Sequence, residues 1–162
     1  MHAHSRLPIL IFYAIIVISL LCCNMLSAQC SCAPIPTGTT TSVTITPQQG
    51  TAAIQAAITN ANGALTIYLT NGTYSVVAGQ INVTKPDITI RSYSGNRDSV
   101  IIQGGGMLNG RGFHGISILR PDVTISDLTI RDIDTHGIDI NFWYLQQLGL
   151  STDLNNILLH NL

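Results

Sequence analysis

The chain of 162 residues contains no glutamate, a single lysine (Lys85) and a single tryptophan (Trp143), and only 9% of its residues are charged. Any carboxylate chemistry must therefore use aspartate. Seven basic residues stand against eight acidic ones, a formal net charge of −1, which becomes −2 if Arg6 is lost with the leader described below. So few cations cannot form the basic stripe that nucleic-acid binding needs, and nucleic acid is excluded as a partner. Cysteine is scarce as well. Cys22 and Cys23 lie in the leader, and Cys30 and Cys32 are too close together for an easy disulfide. No second Cys or His pair stands at zinc spacing beside them. The glycine runs 104–106 and 109–112 lack the Lys-Ser/Thr ending of a phosphate loop and read as a flexible connection.

A hydrophobic run is present at the N-terminus. Arg6 precedes Leu7–Cys23, and small residues follow at Ser27 and Ala28. The run is shorter than the ~20 residues of a spanning helix, and no basic stop-transfer cluster follows it. Ser27-Ala28-Gln29 before Cys30 lacks the residues of a lipoprotein signal. Residues 1–28 are therefore expected to be a secretory signal peptide, which puts the mature protein in the extracellular space, the periplasm or the cell surface, without a membrane anchor. Residues 29–41, small, polar and Pro-containing, read as a linker, and residues 42–162 as one domain.

Within that domain Ser42–Thr46 has a short strand pattern closed by Pro47. A helix is predicted over about 51–62, with Thr51 as N-cap, Ile54, Ala57, Ile58 and Ala61 as its apolar stripe, and Gly63 at C′. From Leu65 the chain changes to short runs rich in Ile, Val and Thr between Gly, Asn and Asp turns, and these runs repeat. QINVTKPDITIR (80–91) recurs 35 residues later as GISILRPDVTIS (115–126), and HGISI (114–118) recurs 22 residues later as HGIDI (136–140). Unequal intervals between matching strand cores are what stacked coils joined by loops of different length produce.

The register predicts three strands per coil. The first series is Thr66–Leu69, Val100–Gln103 and Leu128–Arg131; the second is Ile81–Val83, Ile116–Ile118 and Ile138–Ile140; the third is Ile88–Ile90, Val123–Ile125 and Ile157–Leu159. Asn82, Ser117 and Asp139 then form one outward row, and Thr89, Thr124 and Leu158 another. An antiparallel sandwich would supply short strands too, but gives no reason for similar strands to recur with a turn proline in register. The expected fold is all-β: a right-handed parallel β-helix capped by the helix at 51–62, with its handedness taken from chirality. The last strand, NILLHNL, stops in mid-coil without a polar cap, which suggests an N-terminal fragment of a longer solenoid.

The helix TAAIQAAITNAN, the segments LTIYLTNGTYSV and ITIRSYSGNRDSVIIQGGG, and the HGISI/HGIDI pair resemble pectin-lyase-like, right-handed parallel β-helix proteins over roughly residues 45–162. Uncharacterised secreted bacterial β-helix proteins look closest, particularly through LTIRDIDTHGIDI. The resemblance implies an extracellular polysaccharide as partner, handled by a lyase or a glycosidase, and a monomer at full length. A non-catalytic surface or adhesion scaffold is the alternative.

Residues 132–139 (DIDTHGID) resemble the NTDGIDI stretch of polygalacturonase-type glycosidases, which pair a protonated with an ionised carboxyl. His136 replaces that family's aspartic acid and Asp134 its asparagine, so His136, Asp139 and Asp134 are the candidate catalytic residues. For a lyase, Ca²⁺ and a base would share the work, with Asp127, Asp132, Asp134 and Asp139 offering oxygens and Arg131 or Lys85 facing a uronate. Asp132 and Asp134, two apart in an extended segment, would face the same way and are the candidate calcium ligands; the alternative is that such turn aspartates satisfy loop N–H groups. His114 and His136 are expected to stack about one strand spacing (~4.8 Å) apart. There they offer a sugar-contacting or proton-transfer surface, or are repeated turn residues beside Gly115 and Gly137. Trp143 and Tyr144, on an insertion with Phe142, are either sugar-stacking platforms or covers for a coil edge. His114, Arg131, Trp143 and Tyr144 are thus the candidate substrate contacts.

Overall fold

A computed structural model describes residues 41–107 and 113–162 of the protein. The segments expected to be a signal peptide and, up to residue 40, a linker, together with the glycine run at 109–112, lie outside the described residues. No helix among those described is long and apolar enough to cross a membrane.

The chain is mostly β, and its strands form three separate parallel sheets. The largest contains β1 (Thr41–Ile45), β2 (Leu65–Leu69), β5 (Ile88–Ser92), β8 (Val123–Ser126) and β11 (Ile157–His160), in that order. A second joins β3 (Gly72–Ser75), β6 (Val100–Gln103) and β9 (Thr129–Arg131). The third joins β4 (Ile81–Val83), β7 (Ile116–Ile118) and β10 (Ile138–Ile140). Every pairing among the described residues is parallel, which removes the antiparallel sandwich.

Alternation decides which side chains are buried. In the five-stranded sheet Ile67, Ile90 and Ile125 stand in register, and all are fully buried; Ile81 and Ile116 do the same in the third sheet. Inward residues of all three sheets share one hydrophobic cluster. Each such side chain contributes about 1.5–3 kcal/mol on burial, so register slippage by one residue would cost many of these terms at once.

The repeat alignment is matched in register where it paired Ile81, Ile116 and Ile138, and where it paired Ile88, Val123 and Ile157. One assignment is corrected. The first series joins Thr66–Leu69 to Val100–Gln103 and Leu128–Arg131; Val100–Gln103 does pair with Thr129–Arg131, but Thr66–Leu69 lies in β2, between β1 and β5, and the other neighbour of Val100–Gln103 is Gly72–Ser75. Apolar alternation marks the inward face of any strand and does not say which sheet it joins. Leu65-Thr66-Ile67 matches Leu128-Thr129-Ile130 as well as it matches Ile88-Thr89-Ile90. The first strand also runs one residue earlier than expected, Thr41–Ile45.

The helix α1 is shorter than expected, Gly50–Thr59. Its stripe is as read: Ile54 and Ile58 are fully buried, with Ala57 and Ala61 packed against the core. Its caps are not. Thr51 lies inside the helix and donates its hydroxyl to the Ser75 carbonyl, while Gln49 holds the N-cap position. The C-cap is Asn60, two residues before the position that Gly63 at C′ implies. The helix touches β1, β2, β3 and β4, so it reaches an edge strand of each sheet. Gln55 shows what this contact does. Its amide accepts from Asn82 N–H at 2.8 Å and donates to Asn82 C=O at 3.1 Å. That pairs backbone groups of edge strand β4, which a neighbouring strand would otherwise satisfy.

Turn aspartates have a backbone role. Asp87, Asp122, Asp127 and Asp132 all lie at φ between 54 and 58, with Asn156 at 54 and Asn161 at 50. Asp and Asn are among the few non-glycine residues that adopt this left-handed region readily. They also stack in pairs: Asn156 donates to Asp122 at 2.8 Å and Asn161 to Asp127 at 3.0 Å.

Candidate functional site

The His-Gly repeat places two imidazoles at one end of the third sheet. Gly115 N–H donates to His136 C=O at 2.9 Å and Ile116 N–H to Gly137 C=O at 3.0 Å, continuing the β7–β10 ladder upstream of both strands. Ile138 pairs with Ile116 and Asp139 with Ser117, so His136 stands beside His114. The rings stack with centroids 5.2 Å apart and planes inclined by 29°. The stacking read from the 22-residue interval is therefore present.

The glycines have a packing reason. A Cβ on Gly115 would lie 2.4 Å from the Gly137 carbonyl oxygen and 3.0 Å from Ile130 Cγ2. Neither histidine has such a reason, since His114 is half-buried and His136 exposed. Their neighbours are polar. His114 Nδ1 lies 2.8 Å from Thr135 Oγ1 and 3.3 Å from His136 Nδ1, and its Nε2 lies 3.6 Å from Asp139 Oδ2. Thr135 Oγ1 in turn donates to the Phe113 carbonyl at 3.0 Å. Among the described residues, His114, His136 and Asp139 are the group whose ligand atoms converge as a metal site requires, all within 4.8 Å of one another.

Beside this cluster is a cleft of about 580 Å³, lined among others by Gln55, Gln80, Asn82, His114, Ser117 and Tyr144. Asn82 and Ser117, register partners on neighbouring strands of the third sheet, make its floor, and Asp139 follows Ser117 in register on β10. Gln80 fixes one wall, accepting from His114 N–H at 3.0 Å and donating to Asn82 Oδ1 at 2.8 Å. Ser117, expected to face outward, is buried beneath the cleft at 3% exposure.

The other candidates are distributed unevenly. Tyr144 borders the cleft; Trp143, 69% exposed, does not. Both lie on a short helix α2 (Phe142–Gln147), where an irregular insertion was expected. Asn141 caps it by accepting from Tyr144 N–H at 2.7 Å, and Leu145 anchors it by full burial. Arg131 belongs to the second sheet, donating to Gln103 at 3.2 Å, and is not brought to the histidines. The calcium pairing of Asp132 with Asp134 assumed an extended segment. Asp132 instead adopts φ 54, which breaks the same-face relation, and its carboxylate accepts from Gln103. Asp134 lies with Ile133, Phe113 and His114 around a small void separate from the cleft.

A second polar group was not anticipated. Asp127, buried, accepts from Arg91 at 3.0 Å, Ser126 at 3.2 Å and Asn161 at 3.0 Å, with His160 Nδ1 at 3.8 Å. These partners come from β5, β8, β11 and the residue after it, and no local spacing links them in the sequence. Gln55 and Gln80 were likewise missed, because a lone amide on a helix or before a strand carries no pattern.

Comparison with protein-family models, curated proteins and solved structures finds no match to this chain.

Proposed function

We propose that this protein is a secreted, right-handed parallel β-helix that binds or degrades an extracellular polysaccharide at the cleft beside His114, His136 and Asp139. The architecture is supported by three parallel sheets that the chain enters in turn, by a shared core, and by a helix against an edge strand of each sheet. Parallel strands joined by crossovers are right-handed in nearly every known case. Secretion is supported by the leader at residues 1–28.

One observation carries the functional reading. A cleft floored by Asn and Ser side chains, walled by Gln80 and bordered by Tyr144, opens beside two imidazoles and a carboxylate. Sugars are recognised by such mixtures, amide and hydroxyl groups meeting their hydroxyls and an aromatic face meeting a pyranose ring. Asp139 places a carboxylate oxygen 3.6 Å from His114 Nε2, and His136, exposed beside it, faces solvent and incoming substrate.

The scaffold alternative is favoured by one feature, the threonine ladder Thr66–Thr89–Thr124 on the outer face of the largest sheet. A screen of the full chain on uronic-acid and neutral polysaccharides separates the two. Unsaturated products absorbing in the ultraviolet identify a lyase, new reducing ends without them a hydrolase, and retention without products a binder. Neither product nor retention on any polysaccharide overturns the proposal and leaves the scaffold. Activity or retention unchanged in both His136→Ala and Asp139→Ala moves the site elsewhere.

A further inference from the structure

The structure assigns His114, His136 and Asp139 as ligands for a divalent transition-metal ion of the zinc type. The assignment uses the same cluster as the polysaccharide reading but does not depend on a sugar.

The hydrogen-bond pattern determines which nitrogen of His114 is free. Thr135 donates its single hydroxyl proton to the Phe113 carbonyl, so at 2.8 Å it accepts the Nδ1 proton of His114. The neutral ring then carries its lone pair on Nε2, which faces Asp139 Oδ2 at 3.6 Å. Two lone-pair-bearing atoms turned toward each other repel unless a proton or a metal ion lies between them, and the Ser117 hydroxyl, donating to the same Asp139 oxygen at 3.5 Å, holds the carboxylate in place. With metal–ligand bonds of about 2.0–2.2 Å, two donors on one tetrahedral ion stand about 3.4 Å apart. The observed gap is close to that separation. His136 supplies the third donor, within 4.8 Å of the other two, and rotation about its Cβ–Cγ bond aims its lone pair.

Thr135 thus acts as the outer partner that ligating histidines commonly have on the other ring nitrogen, fixing tautomer and orientation. The donor set decides the metal. Two imidazoles and one carboxylate suit Zn²⁺, Cu²⁺, Ni²⁺ or Co²⁺, whereas Ca²⁺ takes six to eight oxygens. Three protein ligands leave a fourth position for a water or a sugar oxygen, and His114 also lines the cleft. Packing accounts for Gly115, while the two exposed or half-buried imidazoles beside it are accounted for by the ion.

Zinc chloride alone, titrated calorimetrically into chelator-treated full chain, tests the assignment; Co²⁺ absorption reports the geometry. Binding at micromolar affinity or tighter is expected. His114→Ala and His136→Ala should each remove one bound ion per chain, and Asp139→Asn should weaken that ion at least tenfold. Counting ions by difference allows for His2, His4 and the cysteines of the N-terminal region. His136→Asn and His114→Gln, with circular dichroism as the check on folding, repeat the measurement with less change in volume. Equal ion counts and affinities in the wild type and in both folded histidine variants overturn the assignment, as does absence of any binding below millimolar zinc. No sugar enters the experiment, so its failure and a failed polysaccharide screen are distinguishable.

Discussion

Replacing Gly115 by alanine should destabilise the protein severely, while the same change at Gly137, its partner in the repeat, should be close to neutral. At Gly115 the new methyl would meet the Gly137 carbonyl oxygen at 2.4 Å, Ile130 Cγ2 at 3.0 Å and Ile133 Cδ1 at 3.3 Å. The carbonyl cannot simply turn aside, because it accepts the Ile116 N–H at 3.0 Å. Relief requires β10 to move off β7. Overpacking of this kind costs about 1–3 kcal/mol, and a buried amide left without its partner about 1–3 kcal/mol more. The expected loss is therefore roughly 2–6 kcal/mol. At Gly137 the nearest atom to a new methyl is Ile130 Cγ2 at 3.5 Å, an ordinary contact, and the backbone is outside the left-handed region. There the reduced freedom of the unfolded chain gives a change from zero to about 1 kcal/mol in favour of folding. Urea unfolding of the full chain, followed by circular dichroism, measures both, with equal m-values as the check that the unfolded states are comparable. Equal losses in the two variants, or a larger loss at Gly137, would refute the reasoning. Gly115→Ala should also displace His114 and weaken zinc binding, which Gly137→Ala should leave intact.

Two further outcomes follow from buried polar groups. Asp127→Ala strands the Arg91 guanidinium and removes a residue suited to φ 55, so a loss of about 3–5 kcal/mol is expected. Asp127→Asn, which keeps the backbone preference, should lose less, and a loss below 1 kcal/mol for the alanine variant in chemical denaturation would contradict the account. Tyr74, fully buried, donates to the Ile45 carbonyl at 2.7 Å, and burial pushes its hydroxyl above the usual 10.0, with hydrogen bonding to Thr70 acting the other way. The folded state therefore holds this proton where the unfolded chain has released it. Stability from this source is complete below about pH 10 and declines as pH rises further. Tyr74→Phe, though weaker at neutral pH by about 1 kcal/mol, should decline less steeply above pH 10 in urea midpoints. Parallel declines in the two proteins would exclude Tyr74 as the source.

Register was legible where a strand carried its own turn. Ile81, Ile116 and Ile138, and Ile88, Val123 and Ile157, align because Pro-Asp or His-Gly recurs beside them. Leu65–Leu69 has no such tag, only alternation, and alternation is common to all three sheets. The β3 strand was missed for a related reason: Gly72-Thr73-Tyr74-Ser75 has one large apolar residue, and Tyr74 is buried because two carbonyls receive its hydroxyl. The helix stripe was legible and its ends were not, since Thr51 lies inside the helix and donates its hydroxyl to the Ser75 carbonyl instead of accepting a first-turn N–H. Of the site, the pair of histidines was visible through its interval of 22 residues, whereas Asp127 gathers partners from three strands and leaves no spacing to read.

The absence of glutamate now has a structural meaning that helps separate working aspartates from supporting ones. Four of the eight aspartates, Asp87, Asp122, Asp127 and Asp132, sit at left-handed turn positions, where the short Asp side chain is tolerated and the longer Glu is not favoured. Their carboxylates are secondary to that backbone demand, and Asn156 and Asn161 take the same positions with an uncharged amide. Asp139 is different. It lies within β10, where extended backbone suits β-branched residues better than aspartate, and its register partners on the outward row are Ser117 and Asn82. No turn requires a carboxylate there. It accepts from Ser117 Oγ at 3.5 Å and faces His114 Nε2 at 3.6 Å, the second a gap that a bound ion would fill. Local backbone geometry explains the aspartates of DIDTHGID only up to Asp132; beyond it, the chemistry of two imidazoles explains Asp139.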